Sequence, residues 1–383
     1  MKIAIVHDCI REYGGAERVV EVFHEMWPDA PVFTSFVDKK GLGIHAHRFD
    51  GWNIHTSWIQ SFPMLQKFIS PLRFIIPLIW RQFDFSSYDA VLTSSGWFMS
   101  RGVKVTKPTV HFCYIHHPPR NMYGYATGSN LQRFWIVRVY AAVLNFFLRH
   151  YDFAAAQRVD FFIANSKETA RRVEKFYRKP SVVIYPPIQL DRKETGNNKL
   201  KAVTKNQEPE TRSYYLSVGR LSWSKRIDIA IAACNQLKKP LKVVGAGKEA
   251  GYLRTIAGPT IEFAGGVTDE HLDMLYSGAK ALIFSALDED FGMVPVEAMA
   301  RGVPVIALSE GGVKETVIDG ETGVLFETAT KEACMTAIQT FESMKKDWKA
   351  ACRKQAELFS KERFMKEMKS YIMVHGHEEK LKI

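Results

Sequence analysis

Short apolar runs alternate with polar, glycine-containing segments along the whole chain. In the first half, the runs of strand length are residues 3–6, 90–92, 110–114 and 161–164. Residues 16–26, which follow the loop Tyr13-Gly14-Gly15, have the apolar spacing of a helix. Because strands that alternate with helices favour a parallel sheet, this half predicts an α/β domain.

The second half repeats the pattern. Strands are predicted at residues 214–218, 241–244, 261–264 and 281–284, and helices at residues 227–236 and 271–276. The chain therefore predicts an α/β fold with two Rossmann-like, doubly wound domains. In such sheets ligands bind beyond the carboxyl ends of the strands, so we expect a central cleft where the carboxyl ends of both sheets meet.

A polar stretch separates the two predicted domains. Residues 189–212, QLDRKETGNNKLKAVTKNQEPETR, contain almost no aromatic residue and are typical of a linker. The predicted domains are therefore residues 1–188 and 213–361. A C-terminal helix at about residues 362–383 has Phe364, Met368 and Ile372 on one face, and we expect it to pack back on the first domain.

Composition narrows the class of protein. The chain has 383 residues, 46% hydrophobic and 24% charged, which is typical of a soluble globular protein. No apolar run reaches the roughly 20 residues of a membrane-spanning helix, and the N-terminal MKIAIVHD predicts a core strand instead of a signal peptide. Five widely spaced cysteines without a Cys-x-x-Cys pair favour a reducing cytoplasm.

Positive charge is concentrated in one segment. The net charge is +11, and residues 101–190 hold 14 Lys and Arg against 4 Asp and Glu. Within them, residues 131–153 interleave aromatics with Arg133, Arg138 and Arg149. Two interpretations stay open: a helix that lies on an anionic membrane, or a core helix with solvated arginines. Nucleic-acid binding is not expected, because no known module is visible.

Two glutamates flank a turn that leads into a helix. Residues 285–304, SALDEDFGMVPVEAMARGVP, place Glu289 in a loop after a buried strand and Glu297 about one turn inside the helix. A helix N-terminus has unpaired N–H groups and a partial positive charge, which favour an anionic ligand. Because carboxylates also bind hydroxyl groups, this segment predicts a site for a phosphorylated sugar.

A cationic loop follows the strand predicted at residues 214–218. There Gly219-Arg220 precedes Lys225-Arg226, just before a predicted helix. Arg and Lys can neutralise a departing diphosphate without a metal ion. Two basic residues in a loop are also typical of a solvated surface, so the interpretation depends on the motifs around them.

Those motifs resemble glycosyltransferase family 4, whose members have the two-Rossmann architecture called GT-B. The resemblance is carried by VGRLSWSKRID at 218–228, VVGAGKE at 243–249, FAGGVTDE at 263–270 and EDFGMVPVEAMARGVPVIA at 289–307. Glu289 and Glu297 match the E-x7-E signature of the family. In the first half, Gly14-Gly15-Ala16-Glu17 resembles the N-terminal glycine loop of the family, and YIHHPPR at 114–120 resembles the His-x-Pro-x-Arg segment of its mannosyltransferase branch.

The resemblance implies a role for each matching residue. Residues 1–188 would bind the acceptor and residues 213–361 the nucleotide sugar. Glu297 would accept hydrogen bonds from the ribose and Glu289 would hold sugar hydroxyls, while Arg220 and Lys225 would stabilise the departing diphosphate. His116, rather than His117, would position the sugar. The remaining donor-binding residues would be Gly14, Gly15, Val267, Phe291, Gly292 and Met293.

The family retains the anomeric configuration. A phosphate oxygen of the donor would take the acceptor proton, so no protein nucleophile is implied. Asp288-Glu289-Asp290 imitates the D-x-D metal signature of another glycosyltransferase architecture, but its centre belongs to the E-x7-E pattern. We therefore expect no cofactor and no metal requirement. Gly245-Ala246-Gly247 with Gly251 imitates a dinucleotide fingerprint but has the wrong spacing.

The resemblance implies an α-mannosyltransferase that extends a polyprenyl-diphosphate-linked saccharide in bacterial polysaccharide biosynthesis, with GDP-mannose as donor. We expect a peripheral protein on the cytoplasmic face of the inner membrane. A transferase that uses a UDP-sugar and another acceptor is the alternative. A nucleotide-sugar 2-epimerase and a non-catalytic nucleotide-sugar binding module are further alternatives on the same scaffold.

Overall fold

The computed structural model describes residues 1–128, 134–190 and 213–381, with side chains up to residue 376. The chain forms two compact units. Unit 1 comprises Met1–Tyr125, Leu131–Pro187 and Glu362–Ile383, and unit 2 comprises Ala126–Asn130 and Ile188–Lys361. Residues 191–212 of the predicted linker and Arg133 of the basic segment lie outside the described residues.

Unit 1 is built around a parallel sheet of seven strands in the order β3-β2-β1-β4-β5-β6-β7. Every residue of β1, β4 and β5 is buried, as expected for central strands covered on both faces. From β1 to β3 each new strand is added on one side of β1, and from β4 to β7 each new strand is added on the other side. The strand order therefore reverses between β1 and β4. The strands are β1 (Ile3–His7), β2 (Val32–Thr34), β3 (Ile54–Thr56), β4 (Ala90–Ser95), β5 (Val110–Ile115), β6 (Phe161–Ala164) and β7 (Ser181–Val183).

Helices connect these strands. Ser166 caps α7 by accepting a hydrogen bond from the Thr169 N–H at 2.9 Å. Short 3₁₀ helices occupy Gly43–Phe49, Trp58–Ser61, Arg73–Ile75 and Ser100–Gly102. The α-helices are α1 (Gly15–Met26), α2 (Lys39–Leu42), α3 (Pro63–Lys67), α4 (Ile76–Trp80), α5 (Arg120–Tyr123), α6 (Trp135–Gln157) and α7 (Lys167–Tyr177).

Unit 2 repeats the topology with a parallel sheet of six strands in the order β10-β9-β8-β11-β12-β13. Its strand order reverses between β8 and β11, the position that corresponds to β1 and β4 in unit 1. The strands are β8 (Tyr214–Val218), β9 (Leu241–Val244), β10 (Ile261–Gly265), β11 (Ala279–Phe284), β12 (Val305–Leu308) and β13 (Gly323–Phe326).

The helices of unit 2 follow its strands in the same alternation. Thr268 caps α10 and Thr330 caps α13, each accepting a hydrogen bond from a backbone N–H in the first turn. A 3₁₀ helix occupies Trp223–Lys225. The α-helices are α8 (Ile227–Leu237), α9 (Ala250–Ile256), α10 (Asp269–Ser277), α11 (Met293–Ala300), α12 (Val313–Thr316), α13 (Lys331–Ser343) and α14 (Lys349–Glu357).

The last helix, α15 (Lys361–Leu381), completes the core of unit 1. Phe364, Met368 and Ile372 are fully buried beside residues of β1, β5 and α1. The ring of Phe364 stacks on Phe23 with 5.7 Å between the ring centroids. Removal of this helix would expose apolar core of unit 1.

The prediction of an α/β fold with two Rossmann-like domains is confirmed. Every strand predicted from an apolar run is present, and β6, β8 and β9 have the predicted bounds. The pattern missed β2, β3, β7, β12 and β13, which have only three or four residues each. Runs of three residues carry too little periodicity to be distinguished from loops, and of the four-residue strands only β6 and β9 were predicted.

Candidate functional site

In unit 2 the candidate site lies at the carboxyl ends of β8 and β11. Glycines let the loop after β8 lie directly against the loop after β9. A Cβ atom at Gly245 would lie 1.9 Å from the Gly219 carbonyl oxygen, and one at Gly247 would lie 2.2 Å from the Leu221 oxygen. The loop that carries Arg220 is therefore fixed by backbone contacts that tolerate no side chain.

The same loop is joined to the segment after β11. The Leu287 N–H donates to the Ser224 carbonyl at 2.8 Å, and the Ser285 hydroxyl donates to the Arg226 carbonyl at 2.7 Å. Arg226 has a φ of 45°, which turns the chain sharply between the loop and α8. These bonds place Lys225 beside the loop that contains Glu289.

Lys225 and Glu289 form an ion pair, with 2.5 Å between Nζ and Oε2. The side chains are 26% and 15% exposed, so solvent screens this pair less than a surface pair. The resemblance implied that the two residues bind different parts of a ligand, and the structure brings them into direct contact. An ammonium has three donors, so Lys225 can bind an anion while it keeps Glu289. Arg220 is exposed in the same loop.

A second pair of glycines supports the Glu289 loop. Gly311 has a φ of 62°, and a Cβ atom there would lie 2.1 Å from the Glu289 carbonyl oxygen. At Gly312 the Cβ atom would lie 2.3 Å from the Asp290 oxygen. The Gly312 N–H also donates to the Glu289 carbonyl at 2.8 Å. The position of Glu289 thus depends on two residues about twenty positions later in the chain.

Helix α11 begins directly after this loop. Gly292, with a φ of 85°, precedes Met293, the first residue of the helix. The Phe291 ring is buried and lies 5.4 Å from the Phe359 ring, so only the backbone of Phe291 can meet a ligand. Glu297 is 9% exposed on α11, and Val267 is partly buried in the loop between β10 and α10.

In unit 1 the corresponding position lies at the carboxyl ends of β1, β4 and β5. The Asp8 carboxylate, buried after β1, accepts backbone hydrogen bonds from Gly96, Phe98 and Ser100 at 2.8 to 2.9 Å. It therefore fixes the loop after β4, because three buried N–H groups depend on one carboxylate.

Gly14 and Gly15 form the turn at the start of α1. The Gly14 N–H donates to the Glu17 carboxylate at 2.9 Å, so the glycine loop is closed by its own fourth residue. Gly15 is exposed, and Glu17 is buried. Oε1 of the Glu17 carboxylate lies 3.6 Å from Nε2 of His7, the last residue of β1.

His116 follows β5 and contacts a residue of β4. Its Nε2 atom lies 2.8 Å from the Ser94 hydroxyl, whereas Nδ1 of His117 lies 2.9 Å from the Pro118 carbonyl. Burial, with smaller contributions from His7 and His117, lowers the pKa of His116 well below its usual range. His116 is therefore a neutral imidazole at pH 7.

Two residues of this cluster, His7 and Ser94, were missed from the sequence. His7 is the last residue of β1 and Ser94 lies near the end of β4, and the two are register partners. Polar residues at the ends of otherwise apolar strands were the available signal, because ligands bind at that edge of a parallel sheet.

Helix α6 exposes an apolar face. Its opposite face is buried, and α6 contacts the segment 58–78 through Tyr140, which donates to the Pro71 carbonyl at 2.5 Å, and through Asn145, which accepts from Arg73 at 3.0 Å. Together α6 and this segment form the apolar surface of unit 1. Its exposed members are Trp58, Phe62, Met64, Phe68, Phe74, Leu78, Phe134, Trp135, Ile136, Val139, Tyr140, Val143, Phe146, Phe147 and Phe153.

Charge around the apolar surface has one sign. No Asp or Glu occurs between Asp50 and Asp84, nor between Asp89 and Asp152. Lys67, Arg81, Arg138 and Arg149 are exposed in these segments, while Asp152 is fully buried.

Among the residues that the structure describes, no helix is both long enough and apolar enough to cross a membrane. In the same residues no cluster of three or more His, Cys, Asp or Glu side chains could hold a metal ion.

Two family models match the chain in succession. The one described as Glycosyltransferase Family 4 matches residues 13–192, and the one described as Glycosyl transferases group 1 matches residues 198–359. Together they cover most of the chain, and α15 lies outside both matches. The glycine loop and His116 fall in the first match, and Arg220, Lys225 and Glu289 fall in the second.

Curated relatives share the transferase class and differ in specificity. The alpha-1,3/1,6-mannosyltransferase of Schizosaccharomyces pombe is 27% identical, over 85% of this chain and 70% of the yeast protein. The D-inositol 3-phosphate glycosyltransferase of Streptomyces avermitilis is 29% identical, over 49% of this chain and 45% of that protein. The sulfoquinovosyl transferase of Arabidopsis thaliana is 26% identical, over 39% of this chain and 33% of that protein.

Solved structures confirm the GT-B fold. Anabaena HepE, solved with UDP and glucose, has a TM-score of 0.70 and 18% identity, and the match covers 97% of this chain and 99% of HepE. Sucrose-phosphate synthase from Thermosynechococcus elongatus has a TM-score of 0.65 and 18% identity, with 98% and 100% covered. At this identity the likeness concerns the fold.

The contact between Gly312 and the Glu289 loop yields a first prediction. Gly312→Ala is expected to lower the rate of glycosyl transfer by about 100-fold, because a displacement of about 1 Å at a site costs that much. The added methyl group would lie 2.3 Å from the Asp290 oxygen and must move the loop. Steady-state transfer rates, with circular dichroism to verify folding, provide the measurement.

Gly251→Ala is the matched control. A Cβ atom at Gly251 meets nothing within 4 Å, and Ala is favoured in the helix α9. This variant should transfer at the wild-type rate. A folded Gly312→Ala protein with the wild-type rate would show that the Glu289 loop does not need its present position.

Proposed function

The chain belongs to glycosyltransferase family 4, and from that membership we propose that it transfers mannose from GDP-mannose to a lipid-linked saccharide. The observation that carries the proposal is the Lys225–Glu289 ion pair at the carboxyl ends of β8 and β11. It places a cation suited to a diphosphate beside a carboxylate suited to sugar hydroxyls. Both groups are held by glycine-dependent backbone contacts.

The proposed reaction retains the configuration of the transferred sugar. The bond between the anomeric carbon and the diphosphate breaks, and a bond from that carbon to an acceptor hydroxyl oxygen forms on the same face. The acceptor proton passes to a phosphate oxygen of the departing nucleoside diphosphate. No protein nucleophile and no metal ion take part in this scheme, so Glu289 orients the sugar and is not itself glycosylated.

Charge development explains the residues assigned to the leaving group. The diphosphate gains negative charge as the bond to the sugar breaks, and Arg220 and Lys225 stabilise that charge by charge-assisted hydrogen bonds. Backbone N–H groups of Phe291, Gly292 and Met293 at the start of α11 add fixed dipoles. Glu297, one turn further along, would bind the ribose hydroxyls.

Two observations support mannose as the transferred sugar. Residues 114–120, YIHHPPR, resemble the mannosyltransferase branch of the family, and His116 in this segment is neutral and partly exposed. The Schizosaccharomyces pombe relative that matches 85% of this chain is a mannosyltransferase. A UDP-hexose donor with another acceptor is the alternative proposal.

A lipid-linked acceptor is supported by the apolar surface of unit 1. Aromatic and aliphatic side chains project from one face of α6, and the sequence segments 51–83 and 90–151 contain exposed Lys and Arg but no Asp or Glu. This arrangement suits the interface of an anionic bilayer, where the apolar groups enter the acyl boundary and the cations meet the headgroups. We propose that the protein acts as a peripheral protein on the cytoplasmic face of the membrane that carries its acceptor.

A donor panel tests the proposed reaction. The protein is incubated with GDP-mannose, GDP-glucose, UDP-glucose, UDP-galactose and UDP-N-acetylglucosamine, with and without a polyprenyl-diphosphate-linked saccharide, and in the presence of EDTA. Acceptor-dependent release of GDP from GDP-mannose is the expected result, with an α-linked mannose in the product. Preference for a UDP-hexose would contradict the donor assignment, and release of UDP with an epimerised sugar in the absence of acceptor would indicate a 2-epimerase.

A vesicle assay tests the proposed membrane association. Binding to vesicles of phosphatidylglycerol and phosphatidylcholine is expected to weaken as salt rises, because the Debye length falls from about 10 Å at 0.1 M to about 3 Å at 1 M salt. The double variant Val143→Asp/Phe147→Asp should bind at least about tenfold more weakly, since each side chain contributes roughly 1.5–3 kcal/mol when buried. Co-sedimentation provides the measurement.

The control for this assay changes the net charge equally. Met274→Asp/Leu358→Asp replaces two exposed apolar residues of unit 2 and should bind vesicles like the wild type. Equal loss of binding in both double variants would contradict a specific role of α6. Self-association in vesicle-free buffer that only the α6 variant abolishes would assign the surface to a second copy of the chain.

A further inference from the structure

Four polar side chains form a continuous chain of contacts at the strand ends of unit 1. Oε1 of Glu17 lies 3.6 Å from Nε2 of His7, and Nδ1 of His7 lies 3.1 Å from the Ser94 hydroxyl oxygen. The same oxygen lies 2.8 Å from Nε2 of His116. We call these residues the Glu17–His7–Ser94–His116 chain. Three of its four members are buried, with exposed fractions of 8% for Glu17, 2% for His7 and 0% for Ser94.

The carboxylate of Glu17 sets the proton position on His7. An ionised carboxylate only accepts hydrogen bonds, and Oε2 already accepts from the Gly14 N–H. Oε1 faces Nε2 of His7, a buried nitrogen that has no hydrogen-bond partner among the described residues. A lone pair at Nε2 would be repelled by the carboxylate, whereas an N–H bond there is attracted to it. In its neutral form the His7 ring therefore carries its proton on Nε2, the nitrogen that faces the carboxylate.

This proton position determines the direction of the next two hydrogen bonds. With the proton on Nε2, Nδ1 of His7 is an acceptor, so the Ser94 hydroxyl donates to it. A serine hydroxyl has a single proton, and Ser94 must then accept from His116. The proton of the neutral His116 ring consequently lies on Nε2, and Nδ1 carries a lone pair.

We propose that Glu17, His7 and Ser94 are positioning residues that fix His116 as the Nε2–H tautomer, so that its Nδ1 accepts a hydrogen bond from a hydroxyl group of the transferred sugar. The identification of the ligand at Nδ1 as the transferred sugar rests on the proposed function, whereas the tautomer assigned to His116 does not. Burial lowers the pKa of His116 and keeps the ring neutral, which is consistent with a lone pair at Nδ1.

The Glu17–His7–Ser94–His116 chain also explains why the glycine loop contains an acidic residue, Glu17. Glu17 closes the Gly14 turn and faces His7 with its second oxygen, so one carboxylate joins the two parts of unit 1 assigned to the sugar donor. An acceptor at Nδ1 favours a ligand that presents a hydroxyl group over one that presents an ether or a fluorine at the same position, because neither of these can donate.

The test reads the tautomer directly. Protein labelled with ¹⁵N-histidine is examined at pH 7 by long-range ¹H–¹⁵N correlation, in which a protonated ring nitrogen and a lone-pair nitrogen have distinct ¹⁵N chemical shifts. His116→Gln assigns the ring. A protonated Nε2 and a lone-pair Nδ1 are expected for His116 in the wild type. A proton on Nδ1 of His116 would overturn the proposal, because the hydrogen bonds would then have the opposite polarity, with Nδ1–H of His7 donating to Ser94 and Ser94 donating to Nε2 of His116.

Two variants interrupt the Glu17–His7–Ser94–His116 chain at different positions. In Ser94→Ala and in Glu17→Gln, His116 should show averaged shifts of both tautomers, and either variant suffices if the other fails to fold. Ser95→Ala is the control, because the Ser95 hydroxyl lies on the same strand but contacts Arg101. If Ser94→Ala and Glu17→Gln both fold and His116 keeps its wild-type ¹⁵N chemical shifts in both, the proposal is overturned.

Kinetics separate positioning from folding. Ser94→Ala should lower kcat/KM for sugar transfer by about tenfold, the ratio that corresponds to one lost hydrogen bond, and should leave GDP affinity unchanged. Equal losses in transfer and in GDP affinity would indicate a structural role instead. If no donor is turned over by the wild type, the proposed function fails while the tautomer measurement still decides the inference.

Discussion

The site in unit 2 depends on the contact between Lys225 and Glu289, two residues that are 64 positions apart in the chain. Neither side chain could hold the other in place alone, because a pair of long, partly exposed side chains loses conformational entropy when it is fixed. Backbone contacts supply the constraint. Gly245 and Gly247 fix the Lys225 loop, and Gly311 and Gly312 fix the Glu289 loop. The ion pair is therefore a consequence of where glycine permits two backbones to touch.

Unit 1 uses a different solution at the corresponding edge of its sheet. There the loop after β4 is held by the Asp8 carboxylate, and the candidate ligand-binding histidine is held by a chain of side-chain contacts that begins at Glu17. Both sheets share one topology, and both place their polar residues where the sheet reverses its direction of growth. A doubly wound sheet leaves this position uncovered by crossover helices, which is why polar side chains can gather there.

The fold could be predicted because long apolar runs such as those of β5 and β8 have one stable environment, the centre of a parallel sheet. The candidate site was predictable only in part. The roles assigned to Arg220, Glu289 and Glu297 came from the resemblance of their motifs to a known family, and they stay predictions. The ion pair could not be predicted, because it depends on the spatial position of Gly311 and Gly312. His7 and Ser94 lie inside strands whose apolar neighbours dominate the pattern.

The central claim is that Lys225 binds the diphosphate while Glu289 serves the sugar. Calorimetric titration of GDP and UDP into the wild type, Lys225→Ala and Glu289→Gln tests it, with Lys239→Ala as control because Lys239 pairs with Glu342 in the same unit. Lys225→Ala should bind the preferred nucleotide at least about tenfold more weakly, the loss that corresponds to a charge-assisted hydrogen bond. Glu289→Gln should bind it as tightly as the wild type or more tightly, because it removes a negative charge near the anion. Wild-type affinity in Lys225→Ala, or equal weakening in both variants, would contradict the account.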